Sequence, residues 1–256
     1  MSSLKDKYKT FKYQFDVAKR VFKDEAFYQT YRVSKEEGRK KGSRTEIISF
    51  LLDLIDGENY LEIGVRNPND NFNKIKCKNK FSVDPGIEYK ENPVDFKLTS
   101  DEFFKEMYNQ NPEFPFNKKF DVIFIDGLHL ADQVETDILN SLRFIKDTGF
   151  IVLHDCNPPT EFHARESFNF RNSPARGFWN GTTWKAFYKF RHHADLFSIC
   201  FDSDWGVGVL SKNKYLGFNN LTLPIENPYF EIKSHFSNKN RYLNLQHFEN
   251  WNKKVK

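Results

Sequence analysis

Apolar positions along the middle of the chain fall into two kinds of pattern. Helical spacing is seen in two sets, at Ile47, Ile48, Leu51, Leu52 and Ile55, and at Val134, Ile138, Leu142 and Ile145. Each set lies on one face of a helix. Short apolar runs typical of strands lie at 60–65, 81–83, 95–98, 121–125, 150–153, 196–201 and 206–210. Strands that alternate with helices predict an α/β fold whose mostly parallel sheet is covered by helices on both faces.

Capping and turn residues set the expected bounds of these elements. The segment Ser43-Arg-Thr-Glu46 has the spacing of a capping box, so we expect a helix to begin there, with Gly57 as its stop. Asp101 is expected to cap the next helix, and Gly149 to end the one after it. The remaining expected elements are helices over 102–108 and 184–193 and an antiparallel hairpin around 202–205.

Acidic residues stand at the expected carboxyl ends of four strands. They are Glu62, Asp84, Asp126 and Asp155. A single aspartate in a loop is usually a turn former or a cap. Parallel sheets, however, bind ligands outside the carboxyl ends of their strands, so four such residues converge on one crevice. Their recurrence therefore predicts a binding site at this edge of the sheet.

The residues after the first strand indicate which ligand this crevice suits. The chain has neither GxGxxG nor GxxxxGK[ST], so a cradle for pyrophosphate is not expected. Gly64 lets the backbone pass close to a ligand because it has no Cβ. Asp84 lies about 20 residues after Glu62, the spacing at which an acidic residue takes ribose hydroxyls. The pattern favours an adenosine ligand without phosphates.

Composition narrows the class of protein. The chain has 256 residues, 39% of them apolar, and no run long enough for a transmembrane helix or an apolar leader. Cys77, Cys156 and Cys200 lie far apart and form no disulfide framework, which predicts a cytoplasmic location. The net charge is only +4, with basic residues concentrated near the ends. We expect solvated terminal helices and no binding of nucleic acid.

Several segments, taken in order, resemble a known family. LEIGVRNPNDNF, SVDPG, LTSDEFF, FIDGLH and IVLHDCNPP are similar to motifs of the class I S-adenosylmethionine-dependent methyltransferases, in the bacterial small-molecule and glycan branch with a FIDGxH strand end. TTWKAFYKFR and DWGVGVL resemble that branch too, so the resemblance covers roughly residues 43–211. It implies a Rossmann-like fold with seven strands, an antiparallel C-terminal hairpin and S-adenosylmethionine as cofactor. One departure is that a single glycine follows the first strand, where the family often has two or three.

The resemblance also implies roles for individual residues. Glu62 and Gly64 would lie at the methionine end of the cofactor, and Asp84 at its ribose. Asp126 would lie near the sulfonium and the acceptor. The implied cofactor-binding residues are Glu62, Gly64, Arg66, Asp84, Thr99, Ser100 and Asp126. An alternative for Thr99 and Ser100, which would lie beside the adenine, is that they only cap a helix.

Two chemical routes would remove the proton of an alcohol acceptor. His129 or His154 could act as a general base. Alternatively, Mg²⁺ or Mn²⁺ could lower the pKa of the hydroxyl, held by Asp126 and Asp155 with Asn157 or His154 as third ligand. The spacing of these residues leaves both routes open.

The acceptor is expected to be a sugar, a glycan precursor or a similar small metabolite. The segment 158–183 has the length of a substrate lid. Its basic residues His163, Arg165, Arg171 and Arg176 would suit an anionic or hydroxyl-rich acceptor, and Trp179 and Trp184 could stack on a sugar. N-methylation, RNA methylation and a non-catalytic scaffold that binds an adenosyl ligand are the alternatives.

The expected organisation has three parts. Residues 1–42 form an N-terminal helical extension, 43–215 the methyltransferase domain and 216–256 a C-terminal extension. The aromatic N-terminal part could serve a homo-oligomer.

Overall fold

The fold is a single sheet with helices on both sides, seen in a computed structural model. It describes residues 3–21, 23–89, 91–169, 173–221 and 232–255. The helices are α1 (Leu4–Val21), α2 (Glu25–Glu37), α3 (Arg44–Leu54), α4 (Ser100–Tyr108), α5 (Ala131–Phe144), α6 (Thr183–Phe190), α7 (Ile232–Leu243) and α8 (Phe248–Val255). The strands are β1 (Asn59–Ile63), β2 (Asn79–Val83), β3 (Phe120–Ile125), β4 (Ile145–Leu153), β5 (Phe197–Phe201), β6 (Val207–Ser211) and β7 (Leu245–Gln246).

The seven strands lie in the order β2-β1-β3-β4-β6-β5-β7. The four strands from β1 to β4 pair in parallel, and β6 runs antiparallel to both β4 and β5. The predicted fold class, a mostly parallel seven-stranded sheet with an antiparallel hairpin, is therefore confirmed. Because β1, β2, β3 and β4 all run the same way, their carboxyl ends meet at one edge of the sheet.

Two predictions about the elements are wrong, one about a strand and one about the end of a helix. The segment 95–98 is not a strand, because only an isolated bridge joins Phe96 to Val83. The seventh strand is instead β7, near the end of the chain, which pairs in parallel with β5. Gly149 does not end a helix either. Helix α5 ends at Phe144 and β4 begins at the next residue, so Gly149 lies inside the strand.

Each face of the sheet has its own hydrophobic core. On one face α4, α5 and α6 contribute Phe103, Phe104, Ile138 and Phe187. On the other face α3 and α8 contribute residues such as Ile48 and Trp251, which pack with Val122 and Phe201 of the sheet. Alternate side chains of a strand point to opposite faces, so the buried strands are apolar throughout. Among the described helices, none combines the length and the apolar character needed to cross a membrane.

Candidate functional site

The site lies where β3 and β4 end side by side. In the parallel register Ile125 pairs with Leu153, so the residues that follow them, Asp126 and His154, emerge next to each other. The backbone N–H of His154 donates to the carbonyl of Ile125 over 3.1 Å. Asp155 comes next, with φ at +60°, a left-handed conformation that aspartate tolerates better than most residues. The sheet thus brings two carboxylates and an imidazole to one point.

Side-chain atoms of these three residues face one another across a short gap. His154 Nδ1 lies 3.2 Å from Asp126 Oδ1 and 3.1 Å from Asp155 Oδ2. Among the described residues, Asp126, His154 and Asp155 can each offer one ligand atom, with all three atoms within 4.8 Å of one another. His154 Nδ1 is buried, and it makes no hydrogen bond to the described residues although both oxygens lie close to it.

His129 closes the side of this group. Its Nε2 lies 3.3 Å from Asp126 Oδ1, and its Nδ1 lies 3.2 Å from Asp155 Oδ2. The same Nδ1 is 3.0 Å from the carbonyl oxygen of Trp179, whose ring stacks on the imidazole with centroids 5.1 Å apart. Both ring nitrogens of His129 therefore face oxygen atoms of the protein.

A second layer of contacts holds the outer atoms of the group. Asn180 donates to Asp155 Oδ1 over 2.8 Å, which leaves Oδ2 directed at the centre. Arg44 donates to Asp126 Oδ2 over 2.5 Å, and His154 Nε2 lies 3.3 Å from Asp204 Oδ1. Outer partners of this kind orient the side chains that bind metal ions, and a carboxylate on the far nitrogen of an imidazole is common there.

Charge and burial compete in the protonation of these groups. Burial alone would raise the pKa of Asp126, but the nearby His154 and Arg44 outweigh it and hold that pKa well below its usual range. Burial would lower the pKa of His129, yet Asp155 and Asp126 raise it to about 9. Burial and Arg44 lower the pKa of His154, and the same two carboxylates outweigh them and raise it well above normal. These shifts favour the ionised carboxylate of Asp126 and the protonated imidazoles of His129 and His154.

The donor set fits a divalent cation. Two carboxylate oxygens and one imidazole nitrogen suit ions such as Mn²⁺ or Mg²⁺. The unsatisfied Nδ1 of His154 faces two carboxylate oxygens, and a cation between them would satisfy all three atoms. Asn157 is held elsewhere, because its side-chain amide donates to Asp202 Oδ1 over 2.8 Å. The structure thus brings His154, rather than Asn157, to the two aspartates.

The residues expected at the cofactor lie along the same edge of the sheet. Glu62 is buried in β1 and accepts hydrogen bonds from Tyr60 and Asn71, over 2.6 and 2.8 Å. Burial, more than any neighbouring charge, raises the pKa of Glu62 to about 7. Asp84 follows β2, and its Oδ1 accepts from the backbone N–H of Gly86 and from the side chain of Asn92. Asp84 therefore shapes its own turn at the crevice.

Other expected cofactor residues have local partners. Arg66 is exposed and pairs with Asp70 over 3.3 Å. Thr99 is the N-cap of α4 and forms a capping box with Glu102, so the predicted cap, Asp101, is wrong. Ser100 accepts a hydrogen bond from Gln133 over 3.2 Å. These contacts agree with the capping alternative for Thr99 and leave a role beside adenine as a prediction.

The segment 158–182 has no helix or strand among its described residues, and its role as a substrate lid stays a prediction. Its basic side chains contact the protein itself. His163 is fully buried between Ser34 of α2 and Thr160, and Arg165 donates to three backbone carbonyls of the loop. Arg176 lies over the ring of Tyr31, 4.7 Å from its centroid. Trp184 is buried in α6, and Arg171 lies outside the described residues.

Two residues of the site were not predicted from the sequence. In the sequence, Arg44 stands out only as an interior residue of the capping box. Asp204 stands out only as part of a hairpin turn. In the structure Arg44 Nε lies 3.2 Å from Asp204 Oδ2, and Asp204 also accepts from the Arg44 backbone N–H over 2.8 Å. The turn that carries Asp204 has positive φ at three successive residues, 204–206. That unusual backbone aims the carboxylate at His154 and Arg44, and no sequence signal foretold it.

Comparison with known proteins adds one family match. A family model described as "Methyltransferase domain" matches residues 71–156, about a third of the chain, from the turn after β1 to the residues after β4. The match supports the class I methyltransferase resemblance. The FIDGxH branch and its glycan acceptors remain predictions. No curated protein matches the chain.

Solved structures of methyltransferases are similar at low identity. The Bacillus cereus O-methyltransferase in complex with SAH is 13% identical, with 73% of this chain and 91% of that chain covered and a TM-score of 0.44. The O-methyltransferase TomG from Streptomyces achromogenes, in complex with SAM, is 13% identical, with 73% and 89% covered and a TM-score of 0.43. SAH-bound PaMTH1 from Podospora anserina is 13% identical, with 78% and 96% covered and a TM-score of 0.42. At these values the likeness carries no inference about the activity of this chain.

Proposed function

We propose that this protein is an S-adenosylmethionine-dependent O-methyltransferase whose acceptor hydroxyl is activated at a divalent cation. The acceptor class is a sugar, a glycan precursor or a similar small metabolite. The family match over residues 71–156, and the meeting of the carboxyl ends of β1, β2 and β3 at one edge of the sheet, support the cofactor assignment. One observation carries the metal route, namely the convergence of Asp126, His154 and Asp155 around the unsatisfied Nδ1 of His154.

The cation would be held by these three side chains and would lower the pKa of a bound hydroxyl. The protein supplies the rest of the arrangement. Asn180 and Arg44 fix the outer oxygens of the two aspartates, so their inner oxygens keep one direction. Methyl transfer needs the acceptor, the methyl carbon and the sulfur in line, and rigid ligands favour such alignment.

The general-base route would give the proton to His154, which the metal route uses as a ligand, or to His129. The geometry of His129 is less favourable, because its Nδ1 faces the Trp179 carbonyl and its Nε2 faces Asp126. In that position His129 is better placed to orient the two aspartates than to receive a proton from an acceptor. The stacked Trp179 ring also covers one face of the imidazole.

The cofactor assignment is tested by calorimetry, which needs no acceptor. S-adenosylhomocysteine should bind the wild-type protein, and NAD should bind much more weakly. Asp84→Ala should weaken binding by about 1.5–3 kcal/mol, the scale of a lost charge-assisted hydrogen bond. Asp84 also accepts hydrogen bonds that shape its turn. Asp84→Asn is therefore the matched variant, because an asparagine oxygen can still accept these bonds while the charge is lost. A wild-type protein that binds no adenosyl ligand would contradict both the methyltransferase proposal and the adenosyl-binding scaffold.

The metal route is tested by Mn²⁺ binding, followed by its electron paramagnetic resonance. Wild type should bind the ion, and Asp126→Asn and His154→Ala should each weaken binding by at least about tenfold. Asn157→Ala is the control and should leave Mn²⁺ affinity nearly unchanged.

Once an acceptor is found, activity separates the two routes. EDTA should stop methyl transfer and Mg²⁺ or Mn²⁺ should restore it, with a smaller effect for His129→Ala. Activity that is insensitive to EDTA, combined with a loss of roughly 10²–10⁴ in rate for His129→Ala, would establish the base route instead.

A further inference from the structure

Helix α1 presents an apolar face to solvent. Leu4, Tyr8, Phe11 and Phe15 recur at i, i+4, i+7 and i+11, so they share one side of the helix. Their exposed fractions are 89%, 68%, 66% and 52%. Within the described part of the chain, α1 has no buried residue. No side chain of this face is therefore buried against another element that the structure describes.

A basic stripe runs beside this apolar face. Lys5, Lys9 and Lys12 each follow an apolar residue of the face by one position, and Lys19 continues the line. The ammonium group of Lys19 lies 4.5 Å from the centroid of the Phe15 ring. Over its whole length α1 carries six basic residues and two acidic ones, namely Lys5, Lys7, Lys9, Lys12, Lys19 and Arg20 against Asp6 and Asp16.

This charge decides between the possible occupants of the face. A second copy of α1 packed on the first would bring two strongly basic helices together, which is unfavourable. An anionic lipid surface complements the lysines and also accepts apolar side chains. Helices with one apolar face, a basic polar face and low overall hydrophobicity lie in the plane of such surfaces. Phenylalanine and tyrosine rings suit the depth of the headgroup boundary.

We propose that α1 docks this protein onto an anionic membrane surface. Phe11 and Phe15 enter the boundary between headgroups and acyl chains, and the lysine stripe pairs with lipid phosphates. This inference is independent of the proposed methyl transfer, because no residue of α1 belongs to the site at the ends of β3 and β4.

Co-sedimentation of the full chain with lipid vesicles tests the proposal. Wild type should bind vesicles of phosphatidylcholine that contain about a third phosphatidylglycerol, and should bind pure phosphatidylcholine far more weakly. The double variant Phe11→Ser, Phe15→Ser should lower partitioning at least about 30-fold. The triple variant Lys5→Gln, Lys9→Gln, Lys12→Gln should lower it about 100-fold.

The control lies on the opposite side of the same helix. Tyr13→Ser with Val17→Ser removes apolar side chains that are also exposed, and should change partitioning less than about threefold. All variants should unfold at the wild-type temperature, since α1 buries no side chain. Vesicle binding that ignores the phenylalanine pair or the anionic lipid overturns the proposal. So does a dimer, or an RNA complex, that forms without lipid and is lost in the phenylalanine variant.

Discussion

At the scale of single residues, Gly64 must be glycine for a reason that the sequence did not show. Its φ is +89°, and a Cβ at this position would lie 2.3 Å from the carbonyl oxygen of Asp126 and 2.5 Å from the Cα of Gly127. From the sequence, we expected the missing side chain to allow a close approach by cofactor. In the structure the close approach is made by the chain that leaves β3, so glycine is needed even without a ligand.

Gly64→Ala should therefore destabilise the fold by about 2–4 kcal/mol, because the added methyl group meets backbone rather than a movable side chain. Urea unfolding measures the loss. Gly177→Ala is the matched control, since nothing lies within 4 Å of its added Cβ, and it should stay within about 0.5 kcal/mol of wild type. Equal effects for the two variants would show that Gly64 does not approach Asp126 closely in solution.

At the scale of elements, two helices begin with the same device. Ser43 and Thr99 are the N-caps of α3 and α4, and each forms a reciprocal capping box with the glutamate three residues on, Glu46 and Glu102. The first box was predicted from its sequence. For the second helix Asp101 was the predicted cap, and Thr99 was named only as an alternative cap. Both have the same S/T-x-x-E spacing, so the second was equally readable.

Thr99→Ala should cost about 1 kcal/mol of unfolding free energy, the usual value of an N-cap hydroxyl. Asp101→Ala should cost less, about 0.5 kcal/mol, because Asp101 only interacts with the positive end of the helix and with Gln133. Chemical denaturation of the two variants in parallel gives the comparison. A larger loss of unfolding free energy for Asp101→Ala than for Thr99→Ala would show that Asp101 is the cap.

At the scale of the whole molecule, the buried carboxyl of Glu62 links stability to pH. Its pKa is raised to about 7 by burial, so the folded protein holds this proton more tightly than the unfolded chain does. A raised carboxyl pKa makes the free energy of unfolding fall as pH rises from the ordinary value near 4.5 to about 7. Asp137, whose burial raises its pKa to about 6, acts in the same direction.

The variant Glu62→Gln should remove this part of the pH dependence, because glutamine keeps the neutral form at every pH. The difference in unfolding free energy between variant and wild type should shift in favour of the variant by up to about 3 kcal/mol between pH 5 and pH 8. Urea unfolding across that range measures it. A difference that is constant with pH would show that Glu62 is already ionised in the folded protein at pH 5.

The sequence by itself determined the local elements and the edge at which the site lies. Apolar runs, helical spacing and capping boxes all depend on residues that are near one another in the sequence. For this reason β1, β3, α3 and the β5–β6 hairpin could be predicted. Parallel strands place their carboxyl ends together, so the positions of Asp126 and Asp155 after two such strands were enough to assign both to one crevice.

Only the tertiary structure decided which side chains complete the site. Arg44 and Asp204 come from the start of α3 and from a hairpin turn, and their meeting with Asp126 and His154 depends on how distant elements pack. The choice of His154 over Asn157 depends on a contact with a distant residue, because the side-chain amide of Asn157 donates to Asp202. The pairing of β7 with β5 also depends on how distant segments pack, because about 45 residues separate Cys200 from its partner Leu245. Sequence spacing carries no record of contacts between segments so far apart.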